Sequence, residues 1–140
     1  GTEEKHVKFT TQYERTLKGH TGSVTALAFS AAGDLLASAS ADMSAKIWDM
    51  STFNCVKTLR GHDHSVSAVV FNTDMLITCS RDCTLKCWEV SSGYCTKTFN
   101  GHTDWVRCLS ISADGEIIAS GSGDNSVIVW KTNTGHILQV

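Results

Sequence analysis

Residues Gly101 to Trp130 read GHTDWVRCLSISADGEIIASGSGDNSVIVW. The stretch opens on a Gly-His pair, runs through two segments of alternating apolar residues joined by a turn, and closes a third segment on Trp130. Alternation with a period of two marks strands with one face turned to a core. Two earlier stretches follow the same plan: Gly61-His62 leads to Trp88, and Gly19-His20 leads to Trp48. The histidines recur at intervals of 42 and 40 residues and the tryptophans at 40 and 42.

A period near 40 residues closing on Trp, followed by Asp49 in the first copy, is the mark of a β-propeller blade. The predicted fold is all-β: three four-stranded antiparallel blades of an incomplete propeller, with repeats at 19–60, 61–100 and 101–140. The strands of the first blade are expected at Val24–Phe29, Leu35–Ser40, Ala45–Trp48 and Phe53–Leu59. Those of the second are expected at Val66–Phe71, Met75–Ser80, Thr84–Trp88 and Tyr94–Phe99, and those of the third at Val106–Ile111, Glu116–Ser122, Ser126–Trp130 and His136–Val140. Gly33-Asp34 and Ala41-Asp42 supply turn chemistry at the first two hairpins, and Asn72-Thr73-Asp74 makes a shorter turn in the second blade. Val24, Val66 and Val106 hold one column, and Phe29, Phe71 and Ile111 another; stacked blades bury both faces, so these columns are expected in the core.

Ahead of the repeats, residues 1–12 form a polar tail with Val7 and Phe9 as its apolar points, and Tyr13–Leu17 reads as an orphan outer strand. A start on Gly1 is the start of a processed product or of a piece of a longer chain. The chain has 140 residues, enough to bury roughly 70% of its unfolded surface around one core. A net charge of −2 without a basic run argues against nucleic acid, whose phosphates demand clustered cations. The absence of an apolar run near the roughly 18 residues of a membrane span, and of a signal-peptide core in the tail, reads as a soluble intracellular protein. Six cysteines, Cys55, Cys79, Cys83, Cys87, Cys95 and Cys108, lie in or beside strands and read as buried free thiols. The spacing of Cys79, Cys83 and Cys87 differs from the paired knuckles of zinc sites, and no metal or cofactor is expected.

A second set of positions is polar and complete in every copy: His20, Ser38, Asp42 and Trp48; His62, Thr78, Asp82 and Trp88; His102, Ser120, Asp124 and Trp130. A buried indole N–H needs an acceptor, a hydroxyl accepts it and passes a proton to an imidazole, and the other imidazole N–H reaches a carboxylate. Ser, His and Asp also compose hydrolase triads. A triad is needed once, at a cleft, with its serine on a strained turn. Here the set occurs three times with its hydroxyl in a regular strand, so the tetrads are read as structural and the protein as no enzyme.

The Gly-His to Trp-Asp repeats resemble WD-repeat propellers over residues 13–140. At finer grain, YERTLKGH at 13–20, LLASASADMSAKIWD at 35–49, GHDHSVS at 61–67 and SRDCTLKCWEVSSGYCTKTFNGHTDWVR at 80–107 are similar to the middle repeats of the lissencephaly-type dynein regulators, which are also non-catalytic subunits of platelet-activating-factor acetylhydrolase. Lys131 stands where the repeat usually carries an acid after Trp130. The resemblance implies a scaffold that binds the dynein motor domain, its coiled-coil adaptor and the acetylhydrolase catalytic subunits, in the cytoplasm at the cytoskeleton, centrosome and microtubules. Proteins of that family carry a seven-bladed propeller behind an N-terminal dimerisation segment, so this three-bladed chain is expected to be a fragment or a truncated relative. A substrate receptor of a ubiquitin ligase or a chromatin-complex subunit is the competing reading.

Column comparison marks binding residues independently of the family. Before the tetrad aspartates stand Ala41, Arg81 and Gly123; three past the histidines stand Ser23, Ser65 and Trp105; five past stand Thr25, Ser67 and Arg107. In each column one large residue replaces small ones. Arg and Trp are enriched in binding hot spots, and the resemblance assigns the equivalent residues to the partner face, so Arg81, Trp105 and Arg107 are the expected partner-binding patch. Three blades also leave two apolar faces without a neighbour, which predicts that the isolated chain self-associates or folds poorly.

Overall fold

The computed structural model describes residues 15–140. Among them run twelve strands: β1 Val24–Phe29, β2 Leu35–Ser40, β3 Ser44–Asp49, β4 Cys55–Arg60, β5 Val66–Asn72, β6 Met75–Ser80, β7 Thr84–Glu89, β8 Cys95–Asn100, β9 Val106–Ile111, β10 Ile117–Ser122, β11 Val127–Lys131 and β12 Ile137–Gln139. They form three four-stranded sheets, each in sequence order, with every pairing antiparallel. Short hairpins join consecutive strands, so each repeat closes its own sheet before the chain passes to the next. Of the expected orphan strand, Tyr13 and Glu14 lie outside the described residues, and Arg15–Leu17 is not in a strand. An outer strand needs a third strand beside it, and none is described there.

Predicted and observed strands differ chiefly at the outer strand, where β4 and β8 start at Cys55 and Cys95 rather than at Phe53 and Tyr94. The loop before each outer strand requires a left-handed residue: Phe53 (φ 62°), Gly93 (φ 80°) and Gly135 (φ 75°) hold equivalent places. Each donates its N–H back to the end of the third strand, Phe53 to Asp49, Gly93 to Glu89 and Gly135 to Lys131, at 2.7 to 2.8 Å. A residue held there cannot extend the ladder.

Blades stack through two dry layers. Ala37, Ala39, Ala45, Ile47 and Leu59 of the first blade meet Val66, Val69, Leu76 and Trp88 of the second. Ile77, Cys79, Leu85, Cys87 and Phe99 on the other side of that blade meet Val106, Ile118, Ile128 and Trp130 of the third. Phe99 and Trp130 pack at 5.5 Å between ring centroids. The side chain at a given column is therefore buried only if a neighbouring blade exists on its side. This corrects the core expectation for two residues: Val66 and Val106 are fully buried, and Phe71 and Ile111 half-buried, but Val24 and Phe29 are 53% and 64% exposed. Leu27 joins them on the uncovered face of the first blade, above a cleft of about 220 Å³ lined by Leu17, Leu36 and Trp48 among others. The thiols divide as well. Cys79 and Cys87 are buried between blades, Cys83 is half-buried, and Cys55, Cys95 and Cys108 are exposed, contrary to the expectation that all six are buried.

Candidate partner-binding site

One end of the three sheets carries the Gly-His loops, the hairpins that hold the tetrad aspartates and the start of each inner strand. The tetrads fix this end. His20 lies 2.8 Å from Asp42 through Nδ1 and 2.7 Å from Ser38 Oγ through Nε2, and Trp48 Nε1 donates to the same Oγ at 2.9 Å. His62, Thr78, Asp82 and Trp88 repeat this at 2.8, 2.6 and 2.9 Å, and His102, Ser120, Asp124 and Trp130 at 2.9, 2.7 and 2.8 Å. One direction satisfies every donor: indole to hydroxyl, hydroxyl to Nε2, Nδ1–H to carboxylate.

Each aspartate also closes its hairpin. Asp42 Oδ1 accepts from the backbone and hydroxyl of Ser44 at 2.9 and 2.6 Å, and Oδ2 accepts the N–H of Thr21 at 3.1 Å. Burial opposes ionisation of Asp42, but hydrogen bonds from Ser44, His20 and Thr21 outweigh it and hold the carboxyl well below its ordinary range. Asp82 shows the same balance, with burial opposed by His62, Thr84 and Asp63. Ser126, Thr103 and His102 lower Asp124 against a smaller cost of burial. Every polar member is thus satisfied inside its own blade, and the serine hydroxyls are committed to indole and imidazole. Burial pushes the Cys79 and Cys87 thiols up, and Cys83 is raised by burial and by the carboxylates of Asp104, Asp82 and Asp124, so none of these three is an activated nucleophile.

On this frame sit the column exceptions. Backbone bonds tie the first two columns together within each blade: Ala41 N to Ser23 O at 2.8 Å, Arg81 N to Ser65 O at 3.0 Å, and Gly123 N to Trp105 O at 2.8 Å. The third column is set by a β-bulge. Pairing of β1 with β2 shifts between Val24 and Ala26, that of β5 with β6 between Val66 and Ala68, and that of β9 with β10 between Val106 and Cys108. The extra residue is Thr25, Ser67 or Arg107, and a bulge re-aims the side chain it carries.

The structure brings the three predicted residues together. Arg81 reaches from the second blade to lie 5.0 Å from the Trp105 ring centroid, and Arg107 lies 4.1 Å from it. Trp105 Nε1 crosses back to donate to Ser67 Oγ at 2.6 Å. Thr25, Ser67, Trp105 and Arg107 line a cavity of about 170 Å³. Among the described residues neither guanidinium is in an ion pair: the salt bridges there are the three His-Asp pairs of the tetrads. Thr25 and Ser67 are the small members of their sequence column, and their place in the cavity wall leaves no contrast to read in the residues themselves.

Comparison with known proteins agrees with this architecture. The family model "WD domain, G-beta repeat" matches residues 11–49, 53–89 and 93–131. The chain is 45% identical over 130 residues to the nuclear distribution protein PAC1-1 of Uncinocarpus reesii, covering 89% of this chain and 29% of that protein. It is 44% identical over 126 residues to the nuclear distribution protein nudF of Aspergillus niger, covering 86% of this chain and 28% of the relative. With PAC1 of Arthroderma benhamiae it shares 42% over 131 residues, covering 91% and 22%. The chain therefore spans less than a third of the length of these relatives. Three matched repeats, three sheets closed in sequence order and three complete tetrads place it together: the chain belongs to the WD domain, G-beta repeat family.

Proposed function

We propose that the chain is a non-enzymatic protein-binding platform of the cytoplasmic dynein pathway, and that Arg81, Trp105 and Arg107 contact the partner. The observation that carries the reading is the stack itself: two guanidiniums lie against one indole and neither meets a carboxylate among the described residues. Arginine on an aromatic face keeps its N–H donors free at the ring edge, and a rigid aromatic in contact with two arginines has the residue types enriched in interface hot spots. The similarity to nuclear distribution proteins and the resemblance to dynein regulators favour the dynein motor domain as that partner. The coiled-coil adaptor, the acetylhydrolase catalytic subunits and a place at the cytoskeleton, centrosome and microtubules follow from the resemblance. Against an enzyme stand the tetrads, whose hydroxyls and carboxylates are consumed in holding the blades.

The test is a titration of dynein motor domain with this chain by fluorescence anisotropy at low and high salt. Screening shortens from about 30 Å at 0.01 M to about 3 Å at 1 M, so binding through two exposed cations is expected to weaken several-fold as salt rises. No binding at low salt, or binding indifferent to salt, overturns the reading.

A further inference from the structure

We propose that Ser67 is a positioning residue of this surface: its hydroxyl holds the Trp105 indole against the two arginines and gives its own proton to a carboxylate oxygen of the docked partner. The inference rests on the functional reading above and names a residue and a bond that the reading does not require.

The bulge that seats Ser67 in the second blade has its counterpart at Thr25 in the first, and the two hydroxyls behave differently. Thr25 Oγ1 donates to the carbonyl of Val66 at 2.5 Å, so its proton is committed to backbone. Ser67 Oγ accepts the Trp105 indole N–H at 2.6 Å, and among the described residues its proton meets no acceptor. The tetrads show what a hydroxyl does in this position. Ser38, Thr78 and Ser120 each take an indole N–H and meet a second partner, the imidazole. Ser67 and Trp105 are the first half of that relay, formed across two blades, without the third member.

A partner's acceptor can reach this hydroxyl. Ser67 borders the cavity of about 170 Å³ with Thr25, Trp105 and Arg107. A water occupies about 30 Å³ of liquid, so this volume accommodates a carboxylate group. Arg107 lines the same recess, with its guanidinium 4.1 Å from the Trp105 ring centroid. A neutral and a charged donor converging on one recess select an anionic oxygen, and a charge-assisted bond is the stronger kind. The guanidiniums rest against the ring, while the hydroxyl that takes the indole N–H fixes which way that edge points, and so sets the orientation that the partner meets.

Three chains test this: wild type, Ser67→Ala and Ser67→Thr, the last keeping the hydroxyl. Near-ultraviolet circular dichroism, with Trp105→Phe identifying the Trp105 band, reads the ring, and titration with dynein motor domain reads the partner's bond to the hydroxyl. Ser67→Ala is expected to alter the Trp105 band and weaken binding about tenfold to 150-fold, the range of a deleted hydrogen bond to a charged group, with the far-ultraviolet spectrum unchanged. Ser67→Thr is expected to restore the band and most of the affinity. An unaltered band in Ser67→Ala, or a threonine chain as weak as the alanine chain, overturns the proposal. A wild-type chain that does not bind the motor domain overturns the functional reading and the proton donation together, while the Trp105 band still decides whether Ser67 holds the ring.

Discussion

His62 shows at the scale of one residue how this protein uses groups that elsewhere do chemistry. Its ring is closed off on both nitrogens, by Asp82 at 2.8 Å and Thr78 at 2.6 Å, and its side chain is 1% exposed. His62→Ala strands a buried hydroxyl and a carboxylate, and a buried polar group without its partner costs about 1–3 kcal/mol. A lowered melting temperature is therefore expected; a variant that melts like the wild type but loses a hydrolytic activity would contradict the structural role. The aspartates add a pH dependence with a definite sign. Asp42, Asp82 and Asp124 all titrate lower in the fold than their ordinary value of 3.8. Their contribution is complete above the unfolded value and is lost as pH falls below it toward the folded values. Urea midpoints measured at pH 7, 4 and 3 are expected to hold and then drop; a midpoint that rises in acid would contradict the linkage. The tetrads and the Arg81, Trp105 and Arg107 exceptions were legible in the sequence because comparison among three copies separates invariant positions from odd ones. Ser67 was not, because beside Thr25 it is an ordinary small member of a column in which Arg107 is the exception, and its distinction is a bond to a residue 38 positions away.

Among the elements, the strands followed from alternation and turn residues, but the bulge at the start of each inner strand did not. One extra residue leaves the apolar alternation on either side readable as a single strand, and only the ladder register exposes it. The hairpins between second and third strands carry a related feature. Met43 (φ 74°), Cys83 (φ 75°) and Asn125 (φ 74°) follow the tetrad aspartates in left-handed conformation. That geometry costs a residue with a Cβ about 1–2 kcal/mol, and glycine avoids it at an entropic cost of about 0.5–1 kcal/mol. Met43 is 47% exposed and gives up little packing. Met43→Gly is thus expected to raise stability by about 0.5–1 kcal/mol and Met43→Val, β-branched, to lower it, both read by urea denaturation. The opposite order would show that the hairpin is held by something other than its backbone.

For the whole molecule, the decisive fact is that repeated blades make repeated interfaces. Trp88 and Val66 are buried because a first blade covers them, and the equivalent face carrying Val24, Leu27 and Phe29 is open among the described residues. At the other end Ile117 and Val127 are 41% and 58% exposed. The repeat count already implied two faces without a neighbour; the column pattern did not say that Val24 and Phe29 would lie on one of them. The same apolar pattern that stacks one blade on the next is available at both ends, so the isolated chain is expected to associate head to tail, and light scattering coupled to size exclusion is expected to show a mass above one chain. A stable monomer that melts cooperatively would mean that both faces are covered from within. Binding of a partner through the Arg81, Trp105 and Arg107 stack is tested most directly by charge reversal. Arg81→Glu and Arg107→Glu, placed in a protein that carries the complete propeller, are to be titrated against dynein motor domain with circular dichroism as the check on folding. Removing one member of a desolvated charge pair costs about 2–5 kcal/mol, so affinity is expected to fall at least tenfold with the fold intact. Wild-type affinity in both variants, with folding unchanged, would contradict the account.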